Sequence, residues 1–270
     1  MSVSPSAYYK WKSGSSSQRF QENKHIASLI EKIHIDSPDK GYRRIHDDLE
    51  RFHNVHSNDK RILRICRSLG IQSTVKFHPA SCTRQARTPQ HYSENILNRE
   101  FHAEKPNEKW LTDVTEFKYY EGPRVKKVYL SAILDLYDRR IVAFAIRDTN
   151  DNKLVFDTFA KAVQRNPDAH PIFHSDRGFQ YTNRYFYQRL VNAGMIQSMS
   201  RVGRCIDNGP MEGFWGILKR ERYYGKRFTN RTELVKMIRS YIHYYNTKRL
   251  QRNLGVLTPM EKHDRYLKAD

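Results

Sequence analysis

Cysteine is nearly absent. Cys66, Cys82 and Cys205 are the only three in 270 residues, far apart and odd in number. No C-x-x-C pair exists, and none of the three sits at zinc spacing from a pair of histidines. This argues against a disulfide scaffold and a structural zinc, and for free thiols in a reducing compartment. Long apolar runs are missing too. The longest, Ile141–Ile146, has six residues, against the ~18–20 that a membrane helix needs. The N-terminus is polar, with no stretch that could serve as a secretory signal. No zipper heptads are visible. Acid is scarce: Asp and Glu total 29 against 48 Lys and Arg, a net charge of +19. Hydrophobic residues are 38%, low for a globular chain, but 12% aromatics argue for a real core rather than a disordered tail. The length suits one large domain or two ordinary ones.

The basic excess is unevenly spread. Residues 1–100 carry +7, residues 101–200 only +3, and residues 201–270 carry +9. Charge of this size is the footprint of a polyanion partner, and nucleic acid fits best because neutralised phosphates release counterions.

Residues 1–19 read as a flexible start, with a serine-rich run at 13–17. Three helices are expected next. Gln21–Ile35 carries Ile26, Leu29, Ile30 and Ile33 at helical spacing, and Tyr42–His53 carries Ile45, Leu49 and Phe52. Asn58–Leu69 stops at Gly70. In that third helix Lys60, Arg61, Arg64 and Arg67 share one face, and Ile62, Leu63, Ile65, Cys66 and Leu69 fill the rest. An apolar face packed on two other helices and a basic face outward is the form of a helix-turn-helix reader of DNA, and Arg43 and Arg44 add to it. Residues 73–107 lack periodicity and read as a linker. Beyond it the pattern changes. Trp110–Tyr119, Val128–Leu136 and Arg140–Arg147 read as strands joined by short turns. Lys153–Gln164 follows as a helix, Pro171–His174 as a strand, Thr182–Ala193 as a helix and Met195–Met199 as a strand. Helices are expected over Pro210–Tyr224 and Glu233–Asn246, the latter with a capping box from Asn230 and Glu233.

Three acids stand apart from the surface acids. Asp113 lies inside the strand run Trp110-Leu111-Thr112-Asp113-Val114-Thr115. Asp176 follows a short apolar strand in His174-Ser175-Asp176-Arg177-Gly178. Glu212 stands in the first turn of a helix after Asp207-Asn208-Gly209-Pro210. Converged carboxylates repel one another unless a divalent cation lies between them, and all-oxygen ligands suit Mg²⁺ or Mn²⁺. Two such ions per site can drive phosphoryl transfer, one at the attacking oxygen and one at the leaving oxygen. Lys219, two helical turns after Glu212, shares its face and could hold a DNA phosphate there.

These motifs resemble the second-frame product of the IS-three family of bacterial insertion sequences, in its IS-one-fifty-like branch. The resemblance runs from about Tyr42 to Tyr266. It is carried by Gly41-Tyr42-Arg43-Arg44-Ile45, the Asp113 and Asp176 segments, Ser198-Met199-Ser200-Arg201, Asp207-Asn208-Gly209-Pro210-Met211-Glu212, Leu218-Lys219 and Tyr245-Asn246-Thr247-Lys248-Arg249, leading to Thr258-Pro259. Between Asp176 and Glu212 lie 35 residues, the family's known spacing. The family is related to retroviral integrases. The resemblance implies an Asp-Asp-Glu triad at Asp113, Asp176 and Glu212, with Mg²⁺. It implies action on terminal inverted repeats of double-stranded DNA: a cut 3′ end attacks beyond the other end, and the circle so formed later integrates. It also implies an active form fused to a protein from an upstream frame. This chain departs from the family at Gly209 and Gly213, where alanine and serine are usual. With Gly216 that puts two glycines inside the catalytic helix, each costing ~1 kcal/mol relative to alanine, so a mobile Glu212 is expected.

The expected fold is α/β: a ribonuclease-H-like mixed sheet preceded by a small all-helical domain. The expected boundaries are 1–19 flexible, 20–72 helix-turn-helix-like, 73–107 linker and 108–270 catalytic core with C-terminal helices. DNA contacts are expected at Lys219, Arg43, Arg44, Lys60, Arg61, Arg64, Arg67 and Arg249. The protein is expected in the bacterial cytoplasm, on the nucleoid and away from membranes, as a homo-oligomer on DNA. Two other readings stay open: a DNA-binding protein without catalysis, and a ribonuclease-H-like nuclease of another pathway. The three acids speak against the first, and Lys219 with the basic helix against the second.

Overall fold

The computed structural model describes residues 4–12, 17–75, 91–202 and 204–269. The chain divides into two compact units, Met1–Val75 and Lys76–Asp270. The serine-rich stretch at 13–16 and the linker residues 76–90 lie outside the described residues.

In the first unit Pro5–Lys12 (α1) is helical where the sequence reads as an irregular start, and Tyr8 and Tyr9 on it are exposed. Gln18–Asp36 (α2) begins three residues before the expected Gln21, because the Ser17 hydroxyl accepts the Phe20 N–H and caps the helix. Tyr42–His53 (α3) and Asp59–Ser68 (α4) follow, and the Asn58 side chain caps α4 by accepting the Arg61 N–H at 2.8 Å. Ile26, Ile30 and Ile33 of α2 pack with Ile45 and Leu49 of α3 and Ile62, Ile65 and Cys66 of α4. Phe52, expected in this core, is exposed.

The second unit is built on one sheet of order β3-β2-β1-β4-β5. Lys109–Glu121 (β1), Arg124–Asp135 (β2) and Ile141–Arg147 (β3) form an antiparallel meander. Ile172–Ser175 (β4) and Ile196–Met199 (β5) add on in parallel beside β1. Asn152–Arg165 (α5) and Arg184–Asn192 (α6) make the crossovers. Gly209–Leu218 (α7), Arg231–Thr247 (α8) and Pro259–Leu267 (α9) complete the unit. This is the ribonuclease-H-like mixed sheet that the element order predicts.

Side chains alternate across β1 and so build two cores. Leu111, Phe117 and Tyr119 pack with Met211, Phe214, Trp215 and Leu218 of α7 and with Leu234, Ile238 and Tyr241 of α8. Trp110 points the other way, among Val155 and Phe159 of α5 and Phe186 and Leu190 of α6. Burying each such large side chain is worth ~1.5–3 kcal/mol.

Three local differences from the sequence reading have physical causes. The part of the expected linker from His91 onward is bound to the sheet. The N–H groups of Ile96 and Leu97 donate to Ser198 Oγ, Met199 N donates to the Glu94 carbonyl, and Leu97 is buried. That segment covers the edge strand β5, whose polar groups need partners. The expected helix to Tyr224 is α-helical only to Leu218, and Lys219–Tyr223 is a wider π turn. The expected capping box at Asn230 has one half, Glu233 N to Asn230 Oδ1, whereas Thr258 and Glu261 form a full one at the start of the unanticipated α9.

Candidate active site

Asp113 shares the β1 face of Leu111 and Phe117, the face that α7 covers. The parallel ladder pairs Lys109 with Ile172, Trp110 with Phe173 and Leu111 with His174. The ladder ends there, two residues before Asp113 and Asp176, and both acids line one cleft just past its end. Asp176 comes directly after β4, at the carboxyl end of the parallel pair, where open α/β sheets hold ligands. Gly178 N donates to Asp176 Oδ1 at 2.9 Å, and a Cβ on Gly178 would stand 2.9 Å from that same oxygen. Glycine is the residue that lets the Asp176 carboxylate turn back on its own backbone.

Glu212 rides on α7, whose entry is tied to β1: Asn208 Nδ2 donates to the Thr112 carbonyl at 3.0 Å. One turn past Glu212, Trp215 Nε1 donates to Asp113 Oδ2 at 3.0 Å, and Val114 N donates to Asp113 Oδ1 at 2.7 Å. The helix backbone is thus tied to β1 on both sides of Glu212, Gly213 and Gly216 notwithstanding. The Glu212 side chain itself is exposed. An open cleft of about 510 Å³ has Asp113 and Asp176 among its walls, with Glu116, Tyr129, Asn150 and Gln180.

The three acids sense one another. Burial, then the charges of Asp176 and Glu212, push the Asp113 carboxyl well above the usual carboxylate range. Burial raises Asp176, and burial with the Asp176 charge raises Glu212. Among the described residues, no Lys or Arg counters these shifts. Oxygen-only ligands that repel each other and lack a protein counter-ion suit a hard divalent cation. Among the described residues, no three His, Cys, Asp or Glu side chains stand ready as a metal-holding group. Asp113 and Asp176 line the cleft together, while Glu212 is exposed on α7.

The expected DNA-contacting residues divide. Lys219 opens the π turn, half-buried, with Nζ 5.2 Å from the centre of the Phe117 ring on the Asp113 face. Lys60, Arg64 and Arg67 are exposed on α4, and Arg43 is exposed on α3 with its guanidinium 5.3 Å from the Tyr42 ring centre. Arg61 is turned inward, onto Glu22 at 3.0 Å and Asn23 at 2.9 Å, and Arg44 pairs with Asp39 at 3.2 Å. Arg249 is a correction. It is mostly buried and grips Glu221 with Nε at 3.1 Å and Nη2 at 2.9 Å, while Tyr241 Oη donates to Glu221 at 2.9 Å. Its charge is spent inside the fold, fastening the π turn to the end of α8.

Several site residues carried no role in the sequence reading. Asn208 and Trp215 hold α7 to β1. Asp207 is fully buried and receives Arg201, Arg99 and Asn95, so it binds the 91–107 segment to the entry of α7. His174 is buried between Ser198 and Ser200, and burial pushes its pKa down to about 4. Asp207 and Asn208 were visible as a motif before Glu212. Nothing in their spacing shows what they bond.

The chain matches the Integrase core domain family over residues 103–205, a further Integrase core domain family over 212–267, and an HTH-like domain over 21–77. A transposase-like protein of Haemophilus influenzae is 42% identical, covering 76% of this chain and 93% of its own. The InsK product of insertion sequence element IS150 of Escherichia coli is 34% identical, covering 94% and 87%. Transposase InsF of insertion sequence IS3A from the same organism is 29% identical, covering 98% and 92%. The magnesium-bound catalytic core domain of HTLV-2 integrase superposes with a TM-score of 0.46 at 18% identity, covering 60% of this chain and 99% of that one. By its sequence relatives and its two integrase-core matches, the chain belongs to the insertion-sequence transposases of the IS150 and IS3 group.

Proposed function

We propose that this transposase cleaves DNA strands at the terminal inverted repeats of its element and joins the freed 3′-hydroxyl to a new strand, with Asp113, Asp176 and Glu212 as its catalytic acids. The observation that supports the reading is that Asp113 and Asp176 line one cleft, with the Asp113 carboxyl raised by burial and by the charges of Asp176 and Glu212. The three acids would hold Mg²⁺ or Mn²⁺, two ions per site, which supply neutralisation of the phosphate and activation of the attacking oxygen. The protein's own part is positional. Gly178 N and Val114 N orient the two strand acids, and Trp215 holds Asp113 against α7. Lys219, near the Asp113 face, is placed to take a backbone phosphate of the DNA end.

The N-terminal unit, residues 20–72, is the DNA-binding domain in this reading, with Lys60, Arg64, Arg67 and Arg43 toward phosphate or base edges. Residues 108–270 form the catalytic core. The partners are the element ends and the target duplex, engaged by a homo-oligomer and by a form fused to the upstream-frame protein.

The test is cleavage of end-labelled terminal-repeat DNA with Mg²⁺, by this chain alone and by its upstream fusion. Nicking at the 3′ end of the repeat, abolished by Asp113→Asn, is expected. Equal nicking by wild type and Asp113→Asn removes the assignment.

A further inference from the structure

Trp215 is a large, nearly buried side chain in the α7 core, 6% exposed, and a burial of this kind ordinarily needs no polar partner beyond a convenient carbonyl. Here its single N–H is spent on the carboxylate of Asp113. The other oxygen of Asp113 is taken by Val114 N. The carboxylate therefore has one donor from its own strand and one from the helix above. Two fixed donors, one on each oxygen, hold it in one orientation.

The position of the donor adds a second argument. Trp215 and Glu212 are three residues apart on α7, neighbours on the helix surface. A displacement of α7 that moved Glu212 would break the bond to Asp113, and a rotation of Asp113 would release the helix.

We propose that Trp215 is a positioning residue that presets the Asp113 carboxylate for metal and ties its orientation to the placement of Glu212. The inference rests on Asp113 being a metal ligand, as set out above. Removing a partner that orients a metal ligand weakens metal affinity or activity about 10- to 100-fold.

Mn²⁺ binding to the full-length chain, followed by calorimetry and by quenching of tryptophan emission, tests it. Trp215→Phe keeps the ring packing and removes the donor. The expected result is Mn²⁺ affinity lower by about 10- to 100-fold, with affinity for terminal-repeat DNA and the unfolding temperature close to wild type. Trp215→His, which restores a ring N–H, should recover part of the loss. In the unmodified chain Mn²⁺ should quench a saturable share of the emission, and Asp113→Asn should abolish that share. This arm needs no change at Trp215, so it stands even if Trp215→Phe fails to fold. Mn²⁺ binding with equal affinity to wild type and Trp215→Phe overturns the positioning role and leaves the metal site standing. Absence of Mn²⁺ binding in wild type overturns both.

Discussion

Asn208 Nδ2 donates to the backbone carbonyl of Thr112 at 3.0 Å, and so a side chain four residues before Glu212 is bonded to the residue next to Asp113. The contact is buried on both sides. It sets the height at which α7 starts above the sheet. Asn208→Ala leaves a buried carbonyl unpaired, at a cost of ~1–3 kcal/mol. The expected outcome is a lower unfolding temperature and a loss of strand cleavage larger than the lost stability explains. Thermal unfolding and single-turnover cleavage, measured on the same preparation, check it. Lower stability with cleavage intact would mean that the contact does not place Glu212.

Asp207 makes the chain sensitive to acid. Hydrogen bonds from Arg201, and then from Arg99, hold its carboxyl well below the usual carboxylate range. A depressed carboxylate contributes stability that is fully present above the unfolded pKa of ~3.9 and is lost as pH falls through the folded value. Wild type should therefore exceed Asp207→Asn in denaturant midpoint at neutral pH, and the gap should narrow as pH falls below about 4. A gap that stays constant down to pH ~3 would contradict the ion-paired state of Asp207.

Arg249 and the exposed arginines of α4 should separate cleanly. Arg249→Ala removes the cation paired with the buried Glu221, and breaking such a pair costs ~3–5 kcal/mol. Its effect should appear in unfolding and not in the salt dependence of DNA binding. Arg64→Ala and Arg67→Ala should leave stability within ~0.5 kcal/mol and flatten the slope of log affinity against log salt by about one unit for each phosphate no longer bound. An unchanged slope in both α4 variants would mean that this face does not touch DNA.

Gly213 has open space where a Cβ would stand, within the helical span of α7. Gly213→Ala should raise stability by ~1 kcal/mol, read as a higher unfolding temperature. If a loose Glu212 serves the reaction, the same variant should cleave more slowly. At Gly216 a Cβ would come within 3.0 Å of the Arg220 guanidinium, so Gly216→Ala should gain less. A destabilised Gly213→Ala would contradict the helical state of this turn.

Much of the catalytic unit was legible because its strands alternate and its helices keep their period. The meander and both crossovers could be placed from periodicity together with the motifs, and the three acids stand out by their local contexts and the family resemblance. The meeting of Asp113 and Asp176 needed the β1–β4 register, which depends on pairing between strands far apart in the chain. Arg249 was expected at DNA because it closes the basic Tyr245–Arg249 stretch, and its acid, Glu221, is distant in sequence. The hold on residues 91–107 was hidden for a similar reason: it depends on Ser198 and Asp207, which sit in loops and strand ends without periodicity. Arg61 and Arg44 were placed on the right helices, but their acids, Glu22 and Asp39, come from neighbouring segments whose packing only the fold sets.

If Asp113, Asp176 and Glu212 act together on DNA, Asp176→Asn should lose both cleavage and strand transfer of labelled terminal-repeat DNA in single-turnover assays with saturating Mg²⁺. DNA affinity without metal and the unfolding temperature should stay near wild type. Cleavage by Asp176→Asn at the wild-type rate would show that the three acids are not the catalytic set.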